Sequence, residues 1–550
     1  MKEFRLLNKK VFYINPPSPN LGGEKVFFVI RKLLTCASSF QYNKITALLC
    51  VLLLFASCAT TLPSAADPIQ PEAPEGTLSV PYCSSDSLNP FFTEGEDNAV
   101  LWPLAFLPLY ALDSNFTPQP VMAASATQTA TEVQVTIKPG ILTAQGLQLS
   151  VADVLYSFRL AKESPAFKTQ LSAITNVSIG ATSDVVVFTL KRPNINACSL
   201  LTFPIVQYGT ADRPTDLPIG AGAYSYTKTA DGTELTYNPN YYDGNVRAAQ
   251  IKLVDSAADA SKAFSLKSER IDCSFSSLAN GEVLRLAATA TTVPMTNLVF
   301  LGVNAQKEHL NSPVFRRAVS KLIDRQSVVE HAFCGYAQAT SLPVHPDWSA
   351  LQTENAENFT TADVYAAQSL ISEYETGESE LIDQADPTLI EPQTRYSLEL
   401  ICCENNNFKT GAADRIADQL AAADIKVRVR VMSEEAYFKA IREGNYDLYL
   451  GEVKLTADMN LSVFLFPGNP LGWGIDNEKD TTNAVWESYC AGVTPLGEFL
   501  QAFAAEMPFI PICYRQGIFY TSRSLVNEVI CTPDNLFNNI DEWEKADKED

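Results

Sequence analysis

Between Tyr396 and Gly451 the chain switches repeatedly between two hydrophobic periods, and this restricts the fold more than any other feature. Tyr396, Leu398, Leu400 and Cys402 alternate with other residues as in a half-buried strand. Ala412–Ala423 has helical spacing, and Ile425, Val427, Val429 and Val431 alternate again. Ser433 then caps a helix ending at Gly444, and Tyr446–Gly451 (YDLYLG) reads as a third strand. A β-α-β-α-β order needs crossover connections, which are right-handed and lay the strands parallel. Ligands of such sheets gather beyond the carboxyl ends of the strands. That rule nominates Glu404, Asn405 and Asn406 after the first strand, and Glu452 and Lys454 after the third.

The amino-terminal half is patterned differently. Val133, Val135 and Ile137 alternate ahead of a Pro139-Gly140 turn, and Val185–Leu190 and Glu234–Tyr237 read as further strands. Ser150 and Asp153 form a capping box before Val151, Val154, Leu155 and Phe158, which share a helical face. These signals predict a mixed α+β lobe. With 550 residues, 46% hydrophobic and 19% charged, the chain exceeds what one core serves, so two or more lobes are expected.

Charge and the amino terminus narrow the possible functions. A formal charge of −22 repels phosphate backbones, which argues against nucleic-acid binding. Ile45–Ala56 is an uncharged apolar run behind Lys44. It is too short for a bilayer, which needs about 20 helical residues, but it suits a secretory signal. Phe55-Ala56-Ser57-Cys58 follows and resembles the bacterial lipobox, in which Cys58 receives diacylglycerol and becomes the mature terminus. Removal of residues 1–57, which carry a net +6, leaves −28. Ala59–Gly76 holds Pro63, Pro68, Pro71 and Pro74 and reads as a semi-extended tether of about 55 Å at ~3.1 Å per residue. Residues 1–57 are thus expected to be a signal peptide and 58–76 a lipid-anchored linker.

Catalytic and metal-binding motifs are sparse. Beyond Cys58 stand nine cysteines with no CxxC spacing, so neither a disulfide framework nor a zinc site is expected. The sequence lacks GxxxxGK[ST], HExxH and GxSxG, and its three histidines, His309, His331 and His345, share no local motif. A binding protein without cofactor or metal is the expectation, with a surface hydrolase or scaffold as the rival from another class.

A series of short motifs runs along the chain in order. Leu88-Asn89-Pro90, Leu109-Tyr110, Val135–Ile141 (VTIKPGI) and Ser150–Phe158 (SVADVLYSF) come first. Ile219–Tyr226 (IGAGAYSY), Asn238–Gly244 (NPNYYDG), Phe300–Asn304 (FLGVN) and Phe315–Arg325 (FRRAVSKLIDR) follow, then Tyr446–Val453 (YDLYLGEV) and Pro508–Arg515 (PFIPICYR). Together they resemble the family 5 extracellular solute-binding proteins, the oligopeptide-, dipeptide- and nickel-binding group, over residues 76–545. The resemblance implies an α/β, two-lobed, periplasmic-binding-protein-like clamshell of type II, similar to cluster C, with mixed and parallel sheets. Lobe I would comprise 76–303 and 509–550, lobe II 304–508, with hinges near Val303–Asn304 and Met507–Pro508. It further implies a monomer that delivers a short peptide or similar polar solute to the permease and ATPase of an ABC importer. Nickel chelates, oligosaccharides and opines stand as alternative ligands. The expected location is extracytoplasmic, held to the cell membrane by lipid alone.

Asn89, Phe92, Trp102, Asn304, Glu404, Asn405, Glu452, Lys454 and Trp473 are the candidate ligand contacts. One departure bears on them. Peptide-binding relatives carry Gly-Trp and then Asp after the Tyr-Asp strand, and that acid can hold the peptide's amino group. Here Glu452 stands at the Trp position and Leu455 near the Asp. Either Glu452 takes over a ligand cation or Lys454 receives an anion, and a pairing of Glu452 with Lys454 is the third possibility.

Overall fold

A computed structural model describes residues 75–546 apart from 231, 245, 257–261, 285–287, 355, 383–395, 467–470 and 472–480. Cys58, the apolar run, the proline-rich tether and Trp473 lie outside the described residues. Among those described, no helix is long and apolar enough to cross a membrane.

A mixed sheet of seven strands organises the carboxyl-terminal half: β1 (Cys273–Ser276), β2 (Thr289–Val303), β3 (Ala337–Ala339), β4 (Tyr396–Cys403), β5 (Ile425–Met432), β6 (Leu448–Lys454) and β7 (Phe509–Thr521). Their spatial order is β1-β7-β2-β6-β4-β5, with β3 also on β7. β4 runs parallel to both β5 and β6, as the period switching requires, whereas β2 is antiparallel to β6 and to β7. Tyr396, Leu398, Leu400 and Cys402 are buried along central β4. Val427, Val429 and Val431 alternate as predicted but are only half-buried or exposed, because β5 is the sheet edge. Helices α1 (Asn407–Ala421) and α2 (Glu434–Glu443) are the two crossovers. Apolar spacing alone would start α1 at Ala412; it starts earlier because the Asn406 side chain caps it, accepting from the Lys409 amide at 3.0 Å.

The other half holds two four-stranded sheets. Thr77–Tyr82 pairs in parallel with Gln250–Asp255, which continues antiparallel to Gly232–Tyr237 and Tyr224–Thr229. Ala123–Gln128, Glu132–Ile137, Val185–Leu190 and Ile174–Ile179 form the second, wholly antiparallel sheet. The helix Val151–Glu163 packs beside it, and its capping box is present: the Ser150 amide donates to Asp153 at 2.7 Å. The other Asp153 oxygen accepts from the Tyr208 amide at 2.7 Å, so one carboxylate ties the helix start to a distant loop.

Two hydrophobic cores result, and their membership shows where the chain passes between them. Val133, Phe188, Phe203, Tyr224 and Val293 belong to the first, with Phe519, Phe537 and Trp543 from the chain's end. Leu298, Phe300, Leu400, Phe464 and Ile510 belong to the second. Val303, Met507 and Phe509, at the hinges expected from sequence, all lie inside the second core. The change of core instead falls within β2 between Val293 and Leu298, at a register shift that contains Pro294. On β7, Ile518 and Tyr520 face the second core while Phe519 faces the first. Continuous strands, not loops, join the two lobes, because period-2 alternation lets a single strand serve a core on each face.

Candidate functional site

Glu452 and Lys454 occupy the last three residues of β6 rather than a loop beyond it. Two positions apart on a strand, they share one face. Across the sheet Lys454 lies opposite Asn297 on β2, and Asn297 lies opposite Arg515 on β7. Directly opposite residues project to the same side, so Lys454, Asn297 and Arg515 make a row with Glu452 one step behind it.

The chain itself saturates Glu452. Its Oε1 accepts from Arg515 Nη2 at 2.7 Å, from Arg515 Nε at 2.8 Å and from Asn297 Nδ2 at 2.8 Å. Its Oε2 meets Lys409 Nζ at 3.1 Å, and only 10% of the side chain is exposed. Lys409 reaches it from the first turn of α1, across the crevice between β4 and β6 where strand order reverses. Burial pushes the Glu452 carboxyl up, but Arg515 and Lys409 together outweigh it and hold the group below its ordinary value. Glu452 is therefore ionised and spent. It neither pairs with Lys454 nor presents a free carboxylate to a ligand cation.

Three polar groups around it lack a partner among the described residues, two of them buried. Arg515 is 3% exposed, and its Nη1 has no hydrogen-bond partner. Asn297 is 8% exposed; since a carboxylate only accepts, its Nδ2 must face Glu452, and its buried Oδ1 is left unpartnered. Lys454 carries no ion pair among the described residues. By surface area it is exposed, yet protein atoms crowd it enough that burial depresses its ammonium pKa. Arg515 adds to that depression and Glu96, from the first lobe, opposes it.

The remaining candidates fall into two groups. Asn89 is fully buried, with Nδ2 donating to the Ala211 and Arg213 carbonyls at 3.1 and 3.0 Å, so its amide pins two segments together. Asn304 likewise donates to the Gly444 and Tyr446 carbonyls, both at 3.1 Å, and holds the turn after β2. Phe92 and Trp102 pack against the first core, Trp102 edge-on to Phe167. Glu404 and Asn405 are exposed at the end of β4, and Asn405 reaches Glu434 at 3.4 Å. Leu455, near the position of the relatives' acid, is a core residue. Sequence reasoning missed Asn297, Lys409 and Arg515, which lie 155, 43 and 63 residues from Glu452.

A second feature spans the two lobes. A cavity of about 600 Å³ is lined by Lys191, Arg192 and Asn194 on one side and Asp458, Phe466 and Trp486 on the other. Its volume is in the range usual for small-molecule sites. Direct bonds cross beside it: Asn194 Nδ2 to Asp458 Oδ2 at 2.8 Å, Asn196 Nδ2 to the Tyr489 hydroxyl at 3.0 Å, and the Ile195 amide to the Cys490 carbonyl at 3.0 Å.

Among solved structures, the chain is similar to the ABC transporter substrate binding protein CtaP from Listeria monocytogenes. Identity is 16% and the TM-score 0.65, over 86% of this chain and 99% of that one. The periplasmic murein tripeptide binding protein MppA in its unliganded open form matches at 17% and 0.67, over 85% and 96%. NikA from Brucella suis in complex with Fe(III)-EDTA matches at 12% and 0.62, over 86% and 100%. A search of curated proteins finds no match. The model of the bacterial extracellular solute-binding proteins, family 5, matches residues 117–465, and the chain belongs to that family.

Proposed function

We propose that this protein is the extracytoplasmic, lipid-anchored receptor of an ABC importer, which captures short peptides or similarly sized polar solutes between its lobes. A permease and an ATPase are its partners. The observation that carries this reading is a 600 Å³ cavity between two separate cores that continuous strands connect. The register shift between Val293 and Asn297 is the proposed hinge, since a bulge bends a strand without breaking its ladder. Similar proteins whose descriptions name a murein tripeptide and Fe(III)-EDTA support a polar solute as ligand.

A thermal-shift screen with tripeptides, metal chelates, opines and oligosaccharides tests the reading. A cognate ligand stabilises the bound state by RT ln(1 + [L]/Kd), about 2.7 kcal/mol at a hundredfold excess over Kd. Small-angle scattering with the best hit will show a smaller radius of gyration, because a ligand that touches both lobes favours the closed form. Turnover of the hit, or an unchanged radius at saturation, contradicts a receptor that closes. Anchoring is tested separately. Cys58→Ala will move the protein from the membrane fraction to the soluble fraction, and retention after a salt wash would assign anchoring to the apolar run instead.

A further inference from the structure

The receptor reading leaves open which end of a polar solute the protein grips. We infer that the row Lys454–Asn297–Arg515 is an anion subsite that takes a carboxylate of the ligand. The inference rests on the proposed receptor function. Where peptide-binding relatives place an acid for an amino group, this chain has cations in excess. Lys409, Lys454 and Arg515 face Glu452 and the more distant Glu96, which leaves one positive charge over.

The partners already made decide how that excess is presented. Nε and Nη2 form one edge of a guanidinium, and in Arg515 both are committed to Glu452 Oε1, so Nη1 projects away from Glu452. A buried donor of a charged group without a partner is costly unless something fills the place. An acceptor bearing negative charge is the complement, and the Lys454 ammonium, two strands away in the same row, supplies a second donor for its other oxygen. Between them stands the unpartnered Asn297 Oδ1, which accepts only from a donor. The row therefore matches a carboxylate carried next to an N–H, the pattern of a peptide's carboxyl terminus. Glu452 acts as a positioning residue: it fixes the orientation of Arg515 and Asn297 and leaves their far sides free.

The test uses the full chain purified in detergent. A mixture of tripeptides is offered as free acids and as carboxyl-terminal amides, and citrate serves as a carboxylate without a peptide. Free acids will bind about ten- to a hundredfold more tightly than amides, the loss that follows from one charge-assisted hydrogen bond. Lys454→Met will weaken the acids more than the amides, whose carbonyl accepts without a charge, and will preserve the melting temperature of the unliganded protein because Lys454 is exposed and has no ion pair among the described residues. Arg515→Lys, which retains a charge for Glu452 and lacks Nη1, will act in the same direction. Equal binding of acids and amides overturns the subsite and leaves the peptide receptor intact. Citrate binding that Lys454→Met abolishes, with no tripeptide bound, supports the subsite and removes the peptide. Failure of every carboxylate to bind overturns the subsite.

Discussion

Glu452→Gln will destabilise the protein by about 3–5 kcal/mol in urea titration, the cost of leaving a buried charge unpaired. The side chain keeps its shape but loses the charge that compensates Arg515, 3% exposed, and Lys409. Against a total stability of ~5–15 kcal/mol, this is a large fraction. A site that merely touched ligand would show no such effect, so the melting curve separates the two roles. Replacing Arg515 with Met in the Glu452→Gln background will recover part of the loss, because the orphaned cation is removed as well. The pH dependence follows from the same contacts. The folded Glu452 titrates below its ordinary value of 4.5, so its stabilisation is complete above that value and is lost as pH falls through the lower, folded one. Glu452→Gln will flatten that part of the acid limb of the stability curve.

Arg325→Leu will cost a further ~3–5 kcal/mol, measured by the same titration. Arg325 is fully buried and bonds no carboxylate among the described residues. Its Nε donates to the Pro511 carbonyl at 2.8 Å, its Nη1 to the Ser320 carbonyl at 3.0 Å and its Nη2 to the Ser320 hydroxyl at 2.8 Å. These bonds fasten the turn between the helices Pro313–Leu322 and Arg325–Ala332 to β7. Leucine relieves the desolvation of a cation but takes the donor from three carbonyls, those of Ser320, Ile323 and Pro511, at about 1–3 kcal/mol for each left unsatisfied, and leaves a gap where the guanidinium lay. A loss below 1 kcal/mol would mean that water takes over these acceptors.

The same arginine shows what could be read from the sequence. Two arginines of the string FRRAVSKLIDR, Arg316 and Arg325, are backbone clamps, whereas Arg317 meets Glu373 at 4.0 Å. Arg316 donates to the carbonyls of Leu310, Glu506 and Met507 at 2.8, 3.1 and 3.0 Å. These clamps reach carbonyls more than 180 residues away, so their role could not be read from the string itself, whereas strand and helix periods revealed the parallel sheet because each needs only neighbours. The depth of burial did not follow: Val431 alternates as regularly as Leu400 yet is exposed, since an edge position is a property of the whole sheet. The charged cluster around Glu452 was legible in place, but its internal pairing was not. Parallel-strand geometry led to Glu452 and Lys454, but the sign of the site depends on Arg515, Asn297 and Lys409, which only folding brings near. Arg515 closes the motif PFIPICYR, where its last letter carried no separate signal.

The strands shared by the two cores also set the order in which the protein can form. β2 pairs with β7 more than two hundred residues later, and Phe519, Phe537 and Trp543 complete the core built from the other end of the chain. Neither half can finish before translation is nearly over, and such long-range pairing is intrinsically slow. The closure of β7 is thus the step on which both cores wait.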